Sequence, residues 1–164
     1  MAVRSETKEL IHAQAIQDIA KARFAFPTEK YKHYRTYINH PERTMGVRLP
    51  SGGAVYPDIV VVEDPENFVR MLAEVETTET VNLESAKEWS IFAELGPLYL
   101  FVPVGTADEA KRLCKQYKIP IVGLRTWRYV LGYDELEIND IITQWTGPED
   151  LLPGPLREVA KKFI

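Results

Sequence analysis

Pro57 and Asp58 lead into the apolar run Ile59-Val60-Val61-Val62, and Glu74-Val75-Glu76 closes a second apolar segment sixteen residues later. Both runs read as strands, and the two-residue period of a strand puts Glu74 and Glu76 on one face. Antiparallel pairing across the short connection 63–68 would set Asp58 opposite them, so that three carboxylates share a small volume. Like charges held that close raise one another's pKa, and a cation relieves the repulsion. All-oxygen ligands favour a hard ion, magnesium or calcium, with magnesium the default and manganese its substitute. The same spacing also fits a plainer arrangement, with Asp58 at a strand edge and Glu74 and Glu76 on a solvated sheet face.

The elements that must position these groups are legible as a succession of periodic segments. Residues 5–22 form a helix with Leu10, Ile11, Ala13, Ala15, Ile16, Ile19 and Ala20 at helical spacing, ended by Pro27. Residues 45–49 and 55–63 read as a hairpin around Pro50-Ser51-Gly52-Gly53, and 69–78 as the third strand of a meander after the break at Asp64-Pro65. Asn82 caps a helix through Glu94 that stops at Gly96. A strand over 98–104 follows. Thr106-Ala107-Asp108-Glu109 has the form of a capping box for a helix ending near Lys118, ahead of a strand over 124–131. Beyond Gly132, residues 137–145 are read as a short helix, and Gly154-Pro155 opens a last one with Leu156, Val159, Ala160 and Phe163 on its apolar side. The expectation is a single domain over 1–164 of mixed α/β (α+β) class. Its core spans about 5–131, with a mixed central sheet flanked by helices, and 132–164 form a helical C-terminal extension.

Composition narrows the chemistry. The 164 residues contain one cysteine, Cys114, which falls on the apolar side of its helix and reads as a buried structural thiol. There is no apolar run long enough to span a membrane and no apolar core of a secretory signal at the N-terminus, so the expected setting is soluble and cytoplasmic, without a membrane partner. Net charge is -4, but seven basic residues between 21 and 48 face only Glu29 and Glu42, leaving that stretch at +5 and the remainder at -9. Lys30, Lys32 and Arg35, interleaved with Tyr31, Tyr34 and Tyr37, suit a phosphate backbone with stacked bases, either DNA or RNA. They equally suit a helix and loop with tyrosines packed inward and cations in water. His12, His33 and His40 show no zinc spacing with a second cysteine, and Gly52-Gly53 lacks the lysine of a phosphate-binding loop.

Residues and element order together resemble the PD-(D/E)xK superfamily of restriction-endonuclease-like proteins, whose core runs helix, three antiparallel strands, helix, strand. The resemblance covers about 5–131 and implies magnesium-dependent hydrolysis of a nucleic-acid phosphodiester. Asp58 and Glu74 would be its metal ligands, with the carbonyl of Val75 as a main-chain ligand. This chain departs at the family's lysine, where Glu76 stands. Some members carry the lysine on the following helix, where Lys87 is the candidate; otherwise Lys87 is a solvated partner of Glu84, Glu88 or Glu94. Glu9 on the first helix is a further acidic candidate. Asp58, Glu74, Glu76 and Lys87 therefore form the expected catalytic set. The alternative is a module of the same fold that binds nucleic acid or a protein without chemistry, and Glu76 is its main support.

Overall fold

The computed structural model describes residues 6–130 and 135–143. Its elements in chain order are α1 (Glu6–Arg23), β1 (Tyr34–Ile38), β2 (Val47–Arg48), β3 (Ala54–Val55), β4 (Ile59–Glu63), β5 (Phe68–Val75), a single 3-10 turn (Thr78–Thr80), α2 (Leu83–Leu95), β6 (Leu98–Pro103), α3 (Ala107–Gln116), β7 (Gly123–Val130) and β8 (Glu135–Thr143). Six strands make one mixed sheet in the order β1-β4-β5-β6-β7-β8, while β2 and β3 form a separate two-stranded sheet. The pairs β1–β4, β4–β5 and β7–β8 are antiparallel. β5, β6 and β7 run parallel to one another, each connected to the next through a helix. This is the expected mixed α/β class. No helix among the described residues is long and apolar enough to cross a membrane.

Both faces of the sheet are covered, so its central strands are apolar on both sides. On one face Ala15, Ile16, Ile19 and Ala20 of α1, with Phe24, pack on Ile59, Val61, Met71, Ala73, Val75, Tyr99 and Phe101. On the other, Ala86, Trp89 and Phe92 of α2 and Ala110, Leu113 and Cys114 of α3 pack on Val60, Val62, Leu72, Leu100, Val102 and Leu124. Burial pushes the Cys114 thiol up to about 11, which fits its structural reading. The buried stripe of α1 is His12, Ala15, Ile16, Ile19 and Ala20, whereas Leu10 is 69% exposed. A histidine has taken the apolar slot one turn before Ala15 and Ile16.

Four sequence expectations change. The first strand of the meander is β1, not 45–49, and the aromatic and β-branched content of Tyr34-Arg35-Thr36-Tyr37-Ile38 accounts for it. The hairpin at 45–49 exists, but only as β2 and β3 around Gly52 and Gly53, both at positive φ. It does not continue into β4, since Pro57 has no N–H to offer a ladder and 56–58 separate β3 from β4. Residues 135–143 are a strand and not the expected helix over 137–145. Leu136 and Ile138 alternate with Glu137 and Asn139, and the two apolar residues pack beside Trp127 and Tyr129. At the second helix the Asn82 cap holds, its side chain accepting from the Ser85 N–H at 2.9 Å. Thr106 does not cap with its side chain; its hydroxyl donates to the Pro103 carbonyl at 2.7 Å. The expected helix opening at Gly154-Pro155 lies outside the described residues.

β8 is fastened by charge. Arg125 on β7 is 1% exposed, pairs through Nε with Asp140 at 2.8 Å and donates from Nη1 to the Ile142 carbonyl at 2.7 Å. Arg23 at the end of α1 reaches the same Asp140 oxygen at 2.9 Å. Gly123 is required beside this guanidinium, because a Cβ there would collide with Arg125 and Tyr99. The Arg125 guanidinium is thus committed to β8, and Arg128 pairs with Glu137 across the same two strands. Replacing Arg125 by Met leaves Asp140 with one cation fewer and the Ile142 carbonyl with one donor fewer. We expect urea denaturation to show a loss of about 3 kcal/mol or more, against a much smaller loss for Arg128→Met, whose pair is exposed.

Candidate active site

Asp58 stands one residue before β4, and the β4–β5 register, with Ile59 opposite Ala73, brings it across from Glu74. Two side chains continue the backbone ladder there. The Asp58 N–H donates to Glu74 Oε1 at 2.8 Å, and the Val75 N–H donates to Asp58 Oδ2 at 2.9 Å. Each carboxylate thus spends one oxygen on the other strand's backbone and keeps the second for another ligand. The carbonyl of Val75 lies against His12 Nε2 at 2.6 Å; being an acceptor only, it takes a hydrogen bond from that nitrogen and retains a second lone pair.

Asp58, Glu74 and His12 line a cleft of about 530 Å³ formed by α1, α2, the β4–β5 junction and the loop after β1. Five carboxylates reach it, from Glu9, Asp58, Glu74, Glu76 and Glu88, against one permanent cation, Arg43. Burial, then the charges of Asp58, Glu76 and Glu88, hold the Glu74 carboxyl well above its ordinary range, opposed by the Asp58 N–H. Glu76 is also buried, but both its oxygens are engaged: Oε2 accepts from Trp89 Nε1 at 2.8 Å and Oε1 from the Thr80 hydroxyl at 3.1 Å. Its own backbone carbonyl accepts from Trp127 Nε1 at 3.1 Å.

Asp58, Glu74, Val75 and Glu76 are therefore brought together as the sequence suggested, and Glu9 joins them at the cleft. Lys87 is not: it is exposed on α2 and absent from the cleft lining, where Ser85, Glu88, Ile91 and Phe92 represent that helix. Lys30, Lys32 and Arg35 lie at the Tyr34 end of β1, which pairs with Glu63, whereas the carboxylates lie beyond its Ile38 end. At roughly 3.3 Å per residue the strand separates the two regions by about 13 Å. Arg35 is occupied locally, donating to the Lys32 and Tyr34 carbonyls and pairing with Asp64 at 3.3 Å. The neighbouring rings of Phe26, Tyr31 and Tyr34 pack on one another at 4.9 to 6.2 Å.

Sequence reasoning missed His12, Asn39, His40, Arg43 and Glu88. Asn39 is the organiser: buried, it donates to the Met45 and Pro57 carbonyls and accepts from the Thr44 and Met45 N–H groups, all at 2.7 to 2.8 Å. That staple holds the loop carrying His40 and Arg43 against the residue preceding Asp58. Arg43 lies over the Tyr56 ring at 4.6 Å. The one available signal was His12, placed at helical spacing with Ala15, Ile16 and Ile19. Glu9, His12 and His40 form a cluster whose ligand atoms lie within 4.8 Å of one another. No family model matches the chain, and neither does any curated protein or solved structure.

Because the folded state holds the Glu74 proton more tightly than the unfolded chain, its contribution is fully present below the ordinary carboxylate pKa and is lost as pH rises through the raised value. Glu74→Gln keeps the acceptor for the Asp58 N–H and removes that dependence. We expect the metal-free variant to be more stable than wild type at pH 8, with the difference shrinking toward pH 4 in urea denaturation. An equal difference at both ends would place the cost elsewhere.

Proposed function

We propose that the chain is a divergent restriction-endonuclease-like (PD-(D/E)xK-like) domain that hydrolyses nucleic-acid phosphodiesters with magnesium or manganese. The observation that carries this reading is the pair Asp58 and Glu74, each pinned through one oxygen to the opposite strand at the head of an acidic cleft. Support also comes from the succession of α1, the antiparallel β1–β4–β5, α2 and the parallel β6, which is the order that the resemblance implies.

The donor set fits a hard divalent ion: two carboxylate oxygens already oriented by backbone N–H groups, with the second lone pair of the Val75 carbonyl beside them. Asp58 and Glu74 would hold it, and when bound it supplies activation of water and charge neutralisation at the phosphate. The protein's own residues set the rest. Burial and the neighbouring carboxylates disfavour the charged form of Glu74, and a cation bound beside it would offset that penalty. Arg43, at the rim, offers the cleft's permanent positive charge to an incoming phosphate, its planar fork suited to two oxygens at once. Glu76, held by Trp89 and Thr80, keeps the floor rigid and negative.

A second reading is favoured by that same Glu76, which stands where the resemblance places a lysine, and by Lys87 facing solvent. It is a module that keeps the cation and binds nucleic acid or a protein without cleaving. The two readings separate in one set of measurements. Saturating magnesium or manganese should raise the stability of wild type by about 3 kcal/mol at a hundredfold excess over Kd, and Asp58→Ala should abolish both that rise and cleavage of single- and double-stranded DNA and RNA. Lys87→Ala should leave cleavage unchanged. Metal stabilisation without cleavage favours the binding module, and no metal effect at all rejects both uses of the pair. For the phosphate contact, Arg43→Ala should weaken nucleic-acid binding with a salt slope shallower by about one; an unchanged slope removes Arg43 from the interface.

A further inference from the structure

We propose that Glu9, His12 and His40 form a second metal site, one that takes a borderline divalent ion of the zinc type. It goes beyond the hydrolytic reading and stands whether or not Asp58 and Glu74 act on a phosphodiester.

The argument begins with a tautomer. The Val75 carbonyl can only accept, so at 2.6 Å the hydrogen between them belongs to His12 Nε2. A neutral imidazole that donates from one nitrogen presents a lone pair on the other, and His12 Nδ1 faces the Glu9 carboxylate at 3.6 Å. A lone pair facing an anionic oxygen is an arrangement that a shared cation would stabilise. Donation of the remote ring N–H to a backbone carbonyl is the arrangement that fixes a histidine as a metal ligand and strengthens its basicity.

His40 completes the set from a different part of the chain. Its Nε2 contacts the same Glu9 oxygen, and its ring meets that of His12 edge-on, with centroids 4.8 Å apart. Glu9 and His12 are one helical turn apart on α1, and the Asn39 staple fixes the backbone that carries His40. Ligand atoms around a tetrahedral zinc at ~2.0–2.1 Å lie roughly 3.4 Å from one another. Glu9 Oε1 already lies 3.6 Å from His12 Nδ1 and in contact with His40 Nε2, so the 4.8 Å spread closes by a small movement of the partly exposed His40 ring.

Two imidazoles and one carboxylate select zinc, cobalt or nickel over magnesium, which prefers oxygen. Three protein ligands leave the remaining coordination position to the cleft that all three residues line, as in zinc sites that bind and polarise a ligand.

The test uses the whole chain stripped of metal with a chelator and then titrated with cobalt(II), read by its visible ligand-field bands, and with zinc against a chromogenic chelator. Wild type should take up one equivalent of zinc, His40→Ala and Glu9→Gln should each bind at least ~10-fold more weakly, and Asp58→Ala should stay within about twofold of wild type. His40 and Glu9 are both partly exposed, and far-UV circular dichroism checks that each variant is folded. Two variants on two elements keep the result decisive should one of them unfold. Absence of stoichiometric uptake by wild type would overturn the site. Undiminished uptake by folded His40→Ala or Glu9→Gln, or a loss in Asp58→Ala equal to theirs, would overturn it by assigning the ion to the carboxylate pair. A failed magnesium response with intact zinc uptake separates this site from the hydrolytic reading.

Discussion

The structure depends on one constraint: two carboxylates, Glu74 buried and Asp58 partly so, must stand side by side where β4 begins and β5 ends. A backbone ladder alone would close that junction and leave no chemistry there. Here the Asp58 and Val75 N–H groups are satisfied by the opposite residue's side chain, which keeps the main-chain donors paired while presenting two oxygens outward. The cost is electrostatic, visible in the raised Glu74 pKa, and is offset by hydrogen bonds that hold each carboxylate in place. A group so confined loses little further freedom on meeting a cation.

The remainder of the fold makes that confinement possible. With α1 on one face and α2 and α3 on the other, the central strands cannot shift relative to one another without exposing one of two dry cores. Three polar side chains reach these cores beside a partner. Glu76 enters between Trp89 and Thr80, Arg125 between Asp140 and the Ile142 carbonyl, and the Tyr129 hydroxyl donates to Asp18 at 2.8 Å. The last two tie β7 and β8 to each other and to α1, so the sheet edge remote from the cleft is fastened by charge while the other edge is fastened by packing.

Much of the frame was legible because its signals are local. The α1 helix, the Asn82 cap, the apolar strand 59–63 and the parallel strands around α3 each follow from periodicity or a cap within a few residues. The acidic trio was legible for the same reason, since strand alternation and a short connection suffice to bring Asp58 and Glu74 together. Local signals also misled. Gly52-Gly53 makes a hairpin so readable that 45–49 took the place of β1, whose tyrosines and arginine looked like a binding surface. In 135–143 the charged residues suggested a helix, and only pairing with β7 makes the alternation of Leu136 and Ile138 matter. His40 and Asn39 carry no local mark at all; they reach the cleft through contacts across the fold that no window of sequence contains.

The peptide on either side of Val75 has a mechanical meaning. Its N–H holds Asp58 and its carbonyl holds His12, so one residue is the fulcrum between the acidic pair and the histidine cluster. Asp58 holds the amide that precedes Val75 and His12 the one that follows it, so the two contacts meet only at the Val75 Cα. The two places thus share one strand residue, and by thermodynamic reciprocity any influence of one on the other would be equal in both directions.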